Sequence, residues 1–182
     1  MKIRDLYRKG RLPVSFEIFP PKGELSVETL RSLLESMRDV RPDFISVTCS
    51  AGGTGNSSKT APLAGIIQNE YGIPAVAHLT CLNSRRDEVE EQIEDIRSRG
   101  LENVLALRGD RIEGAEATDF RYAAELIAYL KERTDLCIGA GCYPEGHVEC
   151  TKPEADLIHL KEKQDAGADF LISQLFFDNE LF

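Results

Sequence analysis

Residues able to do acid–base or anion-binding chemistry recur in this chain at one kind of place, in or just beyond the last part of an apolar run. They are Glu17, Thr48, His78, Arg108 with Asp110, Tyr143 with Glu145, and Gln174. Glu17 sits inside Phe16-Glu-Ile-Phe19, where apolar flanks are expected to desolvate its carboxyl, raise its pKa and keep it an acid near neutral pH. Asp110 follows Arg108 by two positions, so the guanidinium is expected to hold that carboxylate ionised. Two carboxyl groups pushed in opposite directions make an acid and an electrostatic stabiliser. A glycosidase uses such a pair, but the chain has no Trp to form a sugar platform. The remaining run ends include His, Thr and Gln. Each residue alone has a plain structural explanation, a hydrogen-bonded core carboxylate or an ordinary salt bridge. Their recurrence at successive run ends favours one shared site.

The elements that position them are six strand-like runs, at 14–19, 44–49, 75–80, 103–107, 137–143 and 170–177. They repeat at about 30 residues, the length of one βα unit. Unbroken apolar runs such as Val104-Leu-Ala-Leu107 describe parallel strands covered on both faces. Between them lie helical stripes. Leu30, Leu33, Leu34 and Met37 form the first, with Ser26 as N-cap, and Leu63, Ile66 and Ile67 follow Pro62 as the second. Val89, Ile93 and Ile96 form the third, with Ser84 and Asp87 placed for a capping box and Gly100 for a stop. Phe120, Ala123, Ala124, Ile127 and Leu130 form the fourth; Thr151-Lys-Pro-Glu154 supplies a capping box and a first-turn proline for the fifth.

Strict βα repetition leaves an open doubly wound sheet or a (β/α)8 TIM barrel. The first run is not followed by G-x-G-x-x-G, and Gly52-Gly-Thr-Gly55 lacks the third glycine, so it reads as a flexible loop. A barrel is expected because only closure gathers all the polar run ends on one face. In an open sheet they would spread over more than roughly 20 Å. A full barrel takes about 250 residues, so residues 1–182 read as a single catalytic barrel domain with about six of its βα units, the N-terminal part of a longer chain.

A net charge of −9 and a pI near 4.9, without a basic cluster, argue against nucleic acid or an anionic membrane as partner. An anionic ligand would need a local positive site. No run is long enough to span a bilayer and the N-terminus lacks a signal core, so a cytoplasmic location is expected. The five cysteines, Cys49, Cys81, Cys137, Cys142 and Cys150, have no metal-type spacing and are expected as free, mostly buried thiols, with no metal site.

Ser15-Phe-Glu-Ile-Phe-Pro-Pro21, Ser46-Val-Thr48, His78-Leu-Thr-Cys81, Leu107-Arg-Gly-Asp110, Tyr143-Pro-Glu145 with His147, and Gln174-Leu-Phe-Phe-Asp178 together resemble the bacterial-type methylenetetrahydrofolate reductase family. Order and gaps agree across residues 13–178. The resemblance implies a (β/α)8 flavoprotein that reduces FAD with NADH or NADPH and passes hydride to 5,10-methylenetetrahydrofolate. The product, 5-methyltetrahydrofolate, serves one-carbon and methionine metabolism. It implies a cytoplasmic homo-oligomer whose partners are the folate and the nicotinamide dinucleotide. Glu17 matches the general acid that opens the folate ring to an iminium, and Asp110 the carboxylate beside flavin and pterin. Gln174 matches a pterin-binding amide. Thr48, Cys49, Ala51, His78, Arg108, Gly109, Asp110, Ala123, Tyr143, His147, Asp156 and Lys163 fall at FAD-contact positions. Among them Arg108, His147 and Lys163 would supply the positive site. His159 and Glu162 stand where the pattern has Asn and Arg, and Cys49 replaces an aromatic residue. Two alternatives stay open: a flavin-free folate-binding methyltransferase barrel, and a non-catalytic truncated barrel acting as an interaction module.

Overall fold

The computed structural model describes residues 1–7, 12–20, 27–49, 57–111, 119–150 and 152–182. Ser26, Ala51, the 52–55 loop and Thr151 lie outside the described residues. Six strands alternate with five α-helices: β1 (Ser15–Ile18), α1 (Val27–Ser36), β2 (Phe44–Val47), α2 (Ser57–Tyr71), β3 (Ala75–Thr80), α3 (Arg86–Ser98), β4 (Asn103–Leu107), α4 (Ala123–Arg133), β5 (Cys137–Cys142), α5 (Pro153–Asp165) and β6 (Phe170–Ser173). The strands pair in parallel in the order β1-β2-β3-β4-β5-β6, so each βα unit docks beside its predecessor.

Alternation along the strands sorts the side chains into two cores. Ile18, Ile45, Val47, Ala77, Leu79, Val104, Ala106 and Ile138 face the helices and pack with Leu30, Ile67, Ile93 and Ile127. Phe44, Val76, Leu105, Cys137 and Phe170 face the other way and close around Ile3 and Leu6 of an N-terminal 3-10 turn, Ile3–Asp5. One face covered by helices and the other curled onto itself is the layout of part of a βα barrel. The turn is pinned by buried Asn103, whose Oδ1 accepts the Ile3 N–H at 2.8 Å and whose Nδ2 donates to Met1 O at 3.1 Å. An Arg4–Asp169 ion pair at 2.8 Å ties it to the approach of β6.

Several local expectations change. β6 ends at Ser173, and Leu175 and Phe177 beyond it are 72% and 87% exposed. α2 starts before Pro62 and includes it. Leu33 is exposed, not part of the α1 seam formed by Leu30 and Leu34. The N-cap of α3 is Arg85, whose N–H is taken by Glu88 Oε2 at 2.6 Å, so the Ser84–Asp87 box is displaced by one residue. Gly100 closes α3 at φ +69, as its placement required. Among the described residues no helix is long and apolar enough to cross a membrane.

Candidate active site

At the carboxyl ends of the strands the polar residues fall into two neighbouring groups. The first belongs to β1–β3. Glu17 is paired in register with Ser46, and both project to the inner face because Phe16 and Ile18 project to the helices. Ser46 Oγ donates to Glu17 Oε2 at 3.4 Å. His78 Nε2, on β3, lies 3.5 Å from the same oxygen, outside hydrogen-bond geometry, and has no hydrogen-bond partner among the described residues. Burial pushes the His78 imidazole down to about 4, so it is neutral at pH 7. Glu17 departs from expectation: its side chain is 42% exposed, so its apolar flanks do not bury it. Thr48 continues this face; its N–H reaches Ile18 O and its carbonyl accepts from Thr60 of α2. Cys49 follows, with Sγ 3.9 Å from Thr80 Oγ1.

The second group surrounds a cavity of about 320 Å³ over β4 and β5, roofed by α4 and α5. Arg108, Ala123, Tyr143, His147, Asp156 and Lys163 all line it, so six of the expected cofactor contacts come together. Lys163 Nζ donates to Gly141 O at 2.7 Å and lies 5.3 Å from the Tyr143 ring centre; burial lowers its pKa. The Tyr143 ring packs edge-on against His147 at 4.7 Å. Asp156, in the first turn of α5, takes the His147 N–H at 2.6 Å and so fixes the loop after β5. Glu162 and His159, the departures from the family pattern, line the far wall as a 3.0 Å pair.

Between the groups stands the turn after β4. Gly109 has φ +85, and a Cβ there would sit 3.2 Å from Thr80 Cβ, so backbone and neighbour both call for glycine. Asp110 is exposed at its end, with its carbonyl accepting from Asn83 at 2.7 Å. The expected Arg108–Asp110 pair does not form. Arg108 is bound at both ends by Glu149, Nη1 to Oε2 at 2.6 Å and Nη2 to Oε1 at 2.9 Å. That bond raises the guanidinium pKa and lowers that of Glu149. Gln174 lies one residue past β6, exposed, its N–H on Cys142 O at 2.8 Å. Sequence reasoning missed Ser46 and Glu149 as site partners. Ser46 shares the parity of Thr48, a usable signal; Glu149 lies in a loop 41 residues from Arg108 and carries none.

The site is compatible with a dinucleotide such as FAD. A guanidinium and a half-buried ammonium on one cavity suit a diphosphate, and a glycine turn lets a ligand approach the backbone.

Fold and site together define a partial βα-barrel protein with polar side chains gathered at the carboxyl ends of its strands. Residues 2–182 match the methylenetetrahydrofolate reductase family model, and the chain belongs to that family. It is 40% identical over 174 residues to the 5,10-methylenetetrahydrofolate reductase of Pectobacterium carotovorum, covering 96% of this chain and 58% of that protein. The methylenetetrahydrofolate reductase (NADH) 1 of Arabidopsis thaliana is 35% identical over 198 residues, covering all of this chain and 33% of its own. The chain therefore spans a little over half the length of the bacterial relatives it matches. Among solved structures, a 2,3-dimethylmalate lyase of the PEP mutase/isocitrate lyase superfamily superposes with a TM-score of 0.62 at 14% identity, covering 100% of this chain and 64% of that one. The 4-hydroxy-tetrahydrodipicolinate synthase of Methylacidiphilum fumariolicum gives 0.56 at 14% identity, covering 90% and 68%. These last two likenesses concern the fold.

Proposed function

We propose that this chain carries the acid and much of the cofactor site of an FAD-dependent, NAD(P)H-using reductase of 5,10-methylenetetrahydrofolate, working within a complete (β/α)8 barrel. The observation that carries the reading is the placement of Glu17 on the inner face of β1, partly open, at the same carboxyl-end side of the sheet as a cavity lined by Arg108 and Lys163. Arg108, Lys163 and the backbone around Gly109 would hold the diphosphate and ribityl groups, with Thr48, His78 and Asp110 nearer the ring system. Bound FAD would supply hydride transfer between nicotinamide and folate. Glu17 would donate its proton to the folate amine so that the five-membered ring opens to an iminium, a step that only a protonated carboxyl can assist. Asp110, exposed at the rim, would place negative charge near that cation. Gln174 would both donate to and accept from the pterin. The cytoplasm, a homo-oligomeric assembly and a role in one-carbon and methionine metabolism belong to the same reading.

The test uses the full-length, flavin-loaded protein, whose yellow colour, absorbing near about 450 nm, itself separates the reading from a flavin-free barrel. With Glu17→Gln, rapid-mixing absorbance should show reduction by NAD(P)H retained and the folate half-reaction slowed by roughly 10²–10⁴. Equal slowing of both halves would make Glu17 a structural carboxylate.

A further inference from the structure

Resting on the reading of Glu17 as the folate acid, we propose that His78 and Ser46 are positioning residues that hold Glu17 Oε2 as an acceptor, leaving the transferable proton on Oε1. Both side chains are closed off, His78 at 7% and Ser46 at 4% exposure, and both are directed at the same oxygen. Ser46 donates to it at 3.4 Å. His78 Nε2 is 3.5 Å away, and a buried imidazole nitrogen without a partner is costly. A closer approach of a few tenths of an ångström gives that nitrogen a hydrogen bond. Of the neighbouring strands, β2 presents uncharged Ser46 and Thr48 to this face, and β3 presents His78 as its titratable group.

The ring is neutral at working pH, so it acts through Nε2–H and not as a cation. Two donors on Oε2 make it the carbonyl-like oxygen of the protonated acid, which assigns the proton to Oε1. When the Oε1–H bond breaks and the folate amine takes the proton, the electron pair stays on a carboxylate already supplied with two donors. The same contacts thus orient the acid and stabilise its conjugate base.

A double-mutant cycle on the full-length, FAD-loaded protein tests this. His78→Phe should slow the folate half-reaction about tenfold when Glu17 is present and less than about twofold in a Glu17→Gln background, a coupling in the range for contacting residues. His78→Gln, which restores an N–H, should recover most of the loss. A second readout needs no flavin. The Glu17 carboxyl ¹³C resonance, assigned by its loss in Glu17→Gln, should move in His78→Phe and Ser46→Ala and return toward its parent position in His78→Gln. An equal loss in the Glu17→Gln background, with the Glu17 resonance unmoved, overturns the proposal and leaves His78 a core or flavin residue. If His78→Phe does not fold, Ser46→Ala carries both readouts. If Glu17→Gln leaves the folate half intact, the reading of Glu17 as acid fails on its own evidence, while the carboxyl resonance still decides the positioning.

Discussion

Arg108 grips Glu149 through two parallel contacts of 2.6 and 2.9 Å, although Asp110 is only two residues away in the chain. Arg108 and Asp110 are separated by the turn at Gly109, φ +85, whereas the loop after β5 brings a carboxylate face-on to the guanidinium, the geometry its planar fork prefers. Glu149 therefore occupies the group that would meet a cofactor phosphate. Arg108→Ala should weaken flavin binding, while Arg97→Ala on α3, whose exposed partner is Glu94 at 3.3 Å, should not. Glu149→Gln should tighten binding a few-fold, since it removes a carboxylate that competes for the guanidinium. Fluorescence titration of the apoprotein with FAD measures all three. Weaker binding in Glu149→Gln would show that the carboxylate aims the arginine instead of competing for it.

His78 gives the fold a pH dependence. Its pKa is lowered by burial from 6.5 to about 4, so the unfolded chain binds its proton more readily than the folded one. The associated stability is complete above about pH 6.5 and declines as pH falls toward 4. From pH 7 to pH 5 the loss should be about 2 kcal/mol. Urea denaturation at the two pH values should show that loss in the parent and a smaller one in His78→Gln, which has nothing to titrate there.

How much of this was legible follows from what leaves a mark in a sequence. Buried parallel strands leave unbroken apolar runs, and the run at 75–80 coincides with β3. The run at 170–177 overshoots, because an apolar residue looks the same whether or not a strand neighbour pairs with it. Phe16 and Ile18 suggest a buried Glu17, but strand alternation sends those two to the helix side and Glu17 to the other. Flanks in sequence are not neighbours in space. Where the polar residues stand along the chain is legible, since that depends only on where apolar runs stop. The Arg108–Glu149 contact left no trace, because loop geometry selected the partner.

The thiols report on the cavity. Cys81 and Cys137 are free thiols with no exposed surface. Burial pushes the Cys81 thiol up to about 12, so it should resist iodoacetamide at pH 8. Cys150 lines the cavity rim and is partly open, so it should label first. FAD in this cavity should slow Cys150 labelling, as read by mass spectrometry. Labelling unaffected by saturating FAD would move the cofactor elsewhere.

Gly139 faces inward on β5, where an added Cβ would stand 2.5 Å from Phe170 Cζ and 3.0 Å from Leu105 Cδ1. Neither ring nor leucine can retreat freely, since both belong to the inner core around Ile3 and Leu6. Gly139→Ala should destabilise by about 1–3 kcal/mol, the usual cost of overpacking. Paired with Phe170→Leu, which vacates the ring edge, the same alanine should cost less; equal costs in both backgrounds would place the clash elsewhere.

Asp110 separates charge from acidity. Its side chain stands exposed at the end of the Gly109 turn, and the chain's cation next to it, Arg108, is already engaged by Glu149. Asp110→Asn keeps size and hydrogen-bonding capacity while removing the negative charge. If that charge sits beside the folate cation, its loss should slow the folate half-reaction, because the developing iminium loses its counter-charge. It should also raise the flavin potential, since a nearby anion disfavours the reduced, more negative cofactor, and reduction by NAD(P)H should hold its rate or quicken. Glu17→Gln, by contrast, should slow only the folate half and leave the potential unchanged. Spectroelectrochemistry with rapid mixing on both variants distinguishes them. An Asp110→Asn protein with unaltered potential and unaltered folate half-reaction would mean that Asp110 only shapes the turn, through the carbonyl it offers to Asn83 at 2.7 Å.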